Sequence, residues 1–209
     1  MQLKADLSGK RALVTGASSE GFGAHFARVL AANGAEVIVV ARRRAPLESL
    51  VAEIRQSGGV ALAVTADVSD QASVEAAISD AGPLDIVVNN AGVERSGSVL
   101  GLSEADYDYV MDINLKGVWL VATSAARQMR DRGQGGSIIN IASITGHRGM
   151  KGAAPYSVSK AGVLHMTRQL AQELARYGIR VNSISPGYFA TDLNREFLAS
   201  EAGETMRKR

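Results

Sequence analysis

Apolar positions along the chain follow two alternating patterns. Short runs (Ala12–Thr15, Val37–Ala41, Val60–Ala66, Leu84–Asn89, Ser137–Ile141 and Ile179–Ile184) are rich in Val and Ile or continuously apolar. Each is four to seven residues long, which suits strands buried on both faces of a parallel sheet. Between them the apolar residues take helical spacing: Phe26, Val29 and Leu30, then Leu47, Leu50, Val51 and Ile54. Asp70 is placed to cap a helix over Gln71–Ala81 with Val74, Ala77 and Ile78 on one stripe. Two longer segments, Ser103–Arg132 and Tyr156–Tyr177, complete the alternation. Strands alternating with helices predict βαβ crossovers, and hence an α/β fold: a three-layer, doubly wound parallel sheet of six strands. In such a sheet ligands bind at the carboxyl ends of the strands, so chemistry is expected just past each apolar run.

Nothing in composition divides the chain. It has 209 residues, 46% hydrophobic and 21% charged, without repeats or low-complexity linkers, which predicts a single domain over 1–209. The absence of Cys excludes disulfides, Cys-ligated zinc and thiol nucleophiles. The three His, His25, His147 and His165, have no metal-ligand spacing, so no metal site is expected. The net charge of +2 comes from Arg207, Lys208 and Arg209; removing those three from 23 basic residues leaves 20 against 21 acidic. The body is neutral, and a nucleic-acid partner is not expected. No signal-peptide core or membrane-length apolar run is visible, so a cytoplasmic location with no membrane partner is the expectation.

The first run leads into Thr15-Gly16-Ala17-Ser18-Ser19-Glu20-Gly21-Phe22-Gly23 and then a helix. Glycines at a strand-to-helix turn either make a tight turn only, or let the backbone approach a pyrophosphate held on the helix N–H groups. The second run ends in Ala41, followed by Arg42-Arg43-Arg44. A guanidinium there can pair with a 2′-phosphate, where a carboxylate would accept the ribose hydroxyls instead.

Tyr156 and Lys160 are four apart, hence on one helical face. Ser143 lies 13 residues upstream of Tyr156, and Asn114 sits in the preceding long helix. A bare Tyr-x-x-x-Lys carries almost no information. In this order and setting, however, Asn114, Ser143, Tyr156 and Lys160 resemble the catalytic tetrad of the short-chain dehydrogenase/reductase family. The first turn resembles that family's Thr-Gly-x-x-x-Gly-x-Gly, Asp67-Val68 its adenine-contacting pair, and Asn89-Asn90-Ala91-Gly92 its motif after the fourth strand. The likeness runs from residue 7 to about residue 200.

The resemblance implies a Rossmann-like NAD(P) domain and names its site. Cofactor contacts fall to Gly16, Ser18, Ser19, Gly21, Phe22, Gly23, Arg42, Asp67, Val68, Asn90, Ala91, Gly92, Tyr156, Lys160, Pro186, Gly187 and Thr191. Arg42 favours NADP over NAD. Ser143 would donate to the substrate oxygen, and Tyr156 would act as acid/base with Lys160 holding the nicotinamide ribose. Asn114 would hold a water linking Lys160 to solvent, and as a polar residue inside the long helix it can kink that helix as well. An ammonium ~4 Å from a phenol favours phenolate by up to ~4 kcal/mol at an effective dielectric near 20. The implied activity is interconversion of a small-molecule ketone and secondary alcohol. Val93, Glu94, His147, Arg148, Met150, Tyr188 and Phe189 are candidates for the substrate pocket.

Two departures from the family pattern shape the alternatives. Four residues, Ala17–Glu20, separate Gly16 from Gly21 where the family has three, adding ~3.8 Å of chain. Either the extra residue bulges outward, or it reshapes the phosphate site and sets the Glu20 carboxylate against it at a cost of ~1 kcal/mol. The chain also stops at Arg209, where relatives continue into another helix and a seventh strand, so a C-terminally short domain is expected. The resemblance implies a homodimer or homotetramer, since in the family the counterparts of the two long helices pair across a dimer axis. The competing reading is a catalytically impaired or non-catalytic dinucleotide-binding, dimer-forming homologue.

Overall fold

The computed structural model describes residues 5–187 and 189. Six strands, β1 (Arg11–Thr15), β2 (Glu36–Ala41), β3 (Val60–Thr65), β4 (Ile86–Asn89), β5 (Gly136–Ile141) and β6 (Ile179–Ile184), form one sheet. Their order is β3-β2-β1-β4-β5-β6, with every pairing parallel. The order reverses between β1 and β4, which opens a crevice at their carboxyl ends.

Strand alternation explains why both faces are covered. Val14, Val37 and Val39 face α1 (Phe22–Ala32) and α2 (Arg44–Gln56), packing with Ala27, Leu47, Val51 and Ile54. Leu13, Ile38, Val87 and Ile138 face the opposite layer, packing on Val74 and Ile78 of α3 (Gln71–Asp80), Val121, Ala125 and Met129 of α5 (Gly117–Arg132), and Leu170 of α6 (Ala154–Leu174). Fully burying a side chain of this kind contributes about 1.5–3 kcal/mol. The Asp70 carboxylate accepts from the Ser73 amide and starts α3. Ser103 and Asp106 form a reciprocal capping box at α4 (Glu104–Met111). α5 ends at Gly133, whose φ of +67° suits a left-handed cap.

The segment expected as one helix over Ser103–Arg132 is interrupted. α4 passes into a π turn, Asp112–Lys116, before α5 begins. The cause is Asn114, whose side chain hydrogen-bonds to the Val93 backbone instead of facing outward. Among the described residues, no helix is long and apolar enough to cross a membrane.

Candidate active site

The crevice at the β1–β4 switch is a cavity of about 390 Å³, running from the glycine turn to the start of α6. The turn is held by the strands beneath it. Thr15 Oγ1 accepts from the amides of Asn90 and Ala91, both at 3.0 Å. Asn90 Nδ2 donates back to the carbonyls of Thr15 (3.0 Å) and Gly16 (3.2 Å). This lacing leaves no room for side chains. Gly16 has φ +70°, and a Cβ there would lie 2.7 Å from Ala91 Cα; one on Gly23 would collide with the Gly16 carbonyl. Helix α1 is preceded by Gly21 at its N-cap, with no side-chain cap and no acidic residue in its first turn. Gly21, Phe22 and Gly23 line the cavity, so uncapped helix N–H groups sit where an anion can take them.

Glu20 faces the other way. Its carboxylate pairs with Arg28 of α1 at 2.9 Å, and Arg28 also holds Glu53 of α2 at 2.8 Å. The Glu20 carboxylate is therefore held away from the cavity lining, which includes Ser18 and Ser19 but not Glu20. On the cavity side, Arg43 Nη2 donates to the Ser18 carbonyl at 2.8 Å, tying the turn to the start of α2. Arg42 is exposed at the cavity mouth, 4.0 Å from the Asp67 carboxylate. Burial works to raise the Asp67 pKa, but hydrogen bonds from the Ser69 hydroxyl and amide, with the Arg42 charge, bring it below the usual value. Asp67 thus stays ionised beside Arg42.

The other end of the cavity carries Ser143, Tyr156 and Lys160. Ser143 follows β5 and is buried; its Oγ lies 3.1 Å from the Thr145 amide and 3.0 Å from the Thr145 hydroxyl. Lys160 is buried, donates to the Ile141 carbonyl at 2.8 Å, and has its Nζ 5.6 Å from the centre of the Tyr156 ring. Among the described residues no carboxylate pairs with it, and burial pushes its pKa down to about 8. The loop after β6 closes one side. The Pro186 carbonyl accepts from Ile144 N at 3.1 Å, and Phe189 meets Phe22 edge-to-face at 5.2 Å.

The cavity thus brings together Gly16, Ser18, Ser19, Gly21, Phe22, Gly23, Arg42, Asp67, Val68, Asn90, Ala91, Gly92, Ser143, Tyr156, Lys160, Pro186 and Gly187. Asn114 lies behind its wall: Oδ1 accepts from Val93 N (2.8 Å), while Nδ2 donates to Val93 O (2.9 Å) and Ser159 Oγ (3.2 Å). A Cβ on Gly92 would sit 3.5 Å from Asn114 Oδ1 and 3.6 Å from Lys160 Nζ, so the missing side chain leaves space between them. Of the substrate-pocket candidates, Val93 and Phe189 line the cavity, whereas Glu94, His147, Arg148 and Met150 do not. Thr191 and Tyr188 lie outside the described residues. Sequence reasoning misses Arg43 and Thr145. Arg43 is visible there only as one of three arginines, and the Ser143–Thr145 contact has no motif of its own.

A glycine-lined, uncapped helix start lies at the switch point, with a Ser, a Tyr and a buried Lys in the same crevice. Comparison with known proteins gives the class. The short chain dehydrogenase family model matches residues 10–202. The chain is 40% identical over 199 residues to gluconate 5-dehydrogenase of Gluconobacter oxydans, covering 93% of this chain and 77% of that protein. It is also 40% identical over 202 residues to a 3-oxoacyl-[acyl-carrier-protein] reductase of Staphylococcus aureus, covering 94% and 81%. Among solved structures, a gluconate 5-dehydrogenase from Burkholderia cenocepacia in complex with NADP and tartrate superposes with a TM-score of 0.90 at 38% identity, over 94% of this chain and 78% of that one. The chain belongs to the short-chain dehydrogenase family and is an NAD(P)-dependent oxidoreductase acting on CH–OH groups.

Proposed function

We propose that this chain interconverts a ketone and a secondary alcohol with NADP(H), using Tyr156 as acid/base. The observation that carries the reading is one continuous cavity, with the glycine turn and Arg42 at one end and Ser143, Tyr156 and Lys160 at the other. The residues fit a dinucleotide. The uncapped start of α1 and the Gly16–Gly23 turn suit a pyrophosphate, Arg42 a 2′-phosphate, and Asp67 with Val68 the adenine end. When bound, the nicotinamide supplies or accepts the hydride. Cofactor binding by the B. cenocepacia relative supports NADP.

In this reading Ser143 donates a hydrogen bond to the substrate oxygen, orienting the carbonyl and stabilising charge that develops there. Tyr156 delivers its phenolic proton to that oxygen in reduction and takes it back in oxidation. Lys160 in its ammonium form stabilises the phenolate left behind, the more effectively because it is shielded from water. Asn114 fixes the loop at Val93 and borders the space beside Gly92 that leads to Lys160. The outward placement of Glu20 withdraws one of the two departures behind the non-catalytic alternative, the carboxylate set against the phosphate site. Assembly as a homodimer or homotetramer is part of the reading, with Trp119 of α5 and Val158 of α6 as exposed apolar side chains available to a second copy.

Calorimetric titration with NADPH and NADH, followed by turnover on gluconate and on a 3-oxoacyl thioester, tests the reading. Tighter binding of NADPH and turnover of either substrate class are expected. No binding at millimolar cofactor overturns it.

A further inference from the structure

The 3₁₀ turn after β5, Ile144–Gly146, sits between the two halves of the catalytic end. Its first neighbour is Ser143. Its last residue presses on α6: a Cβ on Gly146 would lie 2.8 Å from the carbonyl carbon of Lys160 and 2.9 Å from its oxygen. Between them Thr145 is buried, and its hydroxyl lies 3.0 Å from Ser143 Oγ.

A serine oxygen has two acceptor sites and one proton. The Thr145 amide takes one acceptor site. If the Thr145 hydroxyl donates into the second, both acceptor sites are filled and the Ser143 proton is left for the cavity. If Ser143 donated to Thr145 instead, the Thr145 proton would need another acceptor, and among the described residues the buried hydroxyl meets Ser143 Oγ. Leaving a buried hydroxyl proton unpaired is unfavourable, so the first arrangement prevails.

We propose that Thr145 is a positioning residue. Its hydroxyl donates to Ser143 Oγ, fixing Ser143 as a donor aimed at the substrate oxygen, while Gly146 keys the same turn to the backbone of Lys160. The proposal rests on the reductase reading above. A donor whose oxygen already accepts two hydrogen bonds is polarised and stronger, and the benefit grows as charge builds on the substrate oxygen.

The test uses Thr145→Val, Thr145→Ser, Ser143→Ala and the Ser143→Ala/Thr145→Val double variant, with whichever carbonyl the wild-type chain reduces. Thr145→Val is expected to lower kcat roughly three- to tenfold, the scale of one hydrogen bond, with the Kd for NADPH unchanged. Thr145→Ser, which keeps the hydroxyl, is expected to restore kcat. In the Ser143→Ala background Thr145→Val is expected to add no further loss, because the group it positions is gone. Wild-type kcat in Thr145→Val, an equal loss in the Ser143→Ala background, or failure of Thr145→Ser to recover would each overturn the role of Thr145 alone. A wild-type chain that binds NADPH but reduces no carbonyl would overturn the reductase reading and this proposal together.

Discussion

The two ends of the sheet treat polar groups in opposite ways. At the amino ends, charge is matched. Arg11 holds Glu36 through two nitrogens at 2.7–3.0 Å and donates to the Ala81 carbonyl, while Asp85 accepts from the Arg11 amide and faces Arg132 at 3.5 Å. At the carboxyl ends, capacity is left open: α1 is uncapped, Arg42 lies 4.0 Å from the Asp67 carboxylate, and Lys160 is buried beside a carbonyl with no counter-ion among the described residues. The amino end matches its charges within the fold, whereas the carboxyl end, though laced by Thr15 and Asn90, leaves these groups open. The contrast matters because an open helix start and a solvent-starved ammonium weaken a chain that has no ligand to match them, which makes the carboxyl ends the place to test for one.

Breaking the open end should cost activity, and the largest loss is expected at Tyr156. Tyr156→Phe removes the transferable proton and should lower turnover about 10²–10⁴-fold, with NADPH affinity retained by titration. Near-normal turnover would remove Tyr156 from its role.

Lys160 gives the next largest effect, seen in stability. Its folded pKa of about 8 lies below the ordinary lysine value of 10.5, so between those values the unfolded chain binds more protons and stability rises with pH. Below about pH 8 the full cost of burying the ammonium is present. In the cofactor-free protein, Lys160→Met should abolish that rise and gain up to ~3 kcal/mol at neutral pH, measured by denaturant unfolding across the window. An identical pH slope in both proteins would show that the site is already compensated.

Arg42→Ala should weaken NADPH binding roughly 10- to 100-fold, the scale of a charge-assisted hydrogen bond, and leave NADH nearly unchanged. Equal losses for both would move the 2′-phosphate elsewhere. The smallest effect is expected at the matched end. Glu36→Gln breaks a half-exposed ion pair, so it should cost less than about 1 kcal/mol and leave both cofactor affinities where they were. A change in cofactor binding there would mean that the two ends are coupled through the sheet.

Much of the fold is legible from the residues alone. β6 falls on the predicted Ile179–Ile184, and β1, β2 and β5 each begin one residue earlier than predicted, because apolar runs in a doubly covered sheet leave little freedom of register. The glycine turn, Ser143, Tyr156 and Lys160 stand out because their order after strand ends resembles the motifs of the short-chain dehydrogenase/reductase family. A kink at Asn114 is suggested by a polar residue inside the helix, but its form is not, since a π turn stabilised by Val93, 21 residues away, leaves no local periodicity to read. Nor is the direction of Glu20 readable. Its partner Arg28 is eight residues on, but the pair becomes a clasp only because Glu53 of α2 meets the same guanidinium.

The sequence by itself determined most of the elements and their alternation, because these depend on local periodicity, and it offered candidate reacting groups through their resemblance to a family motif. The tertiary structure decided which groups are satisfied and which stay open. It turned Glu20 outward, drew Arg43 onto Ser18, set Thr145 against Ser143 and buried Lys160 close to the Tyr156 ring. Those outcomes depend on neighbours brought in from other elements, and desolvation and hydrogen-bond competition act only once folding has brought them together.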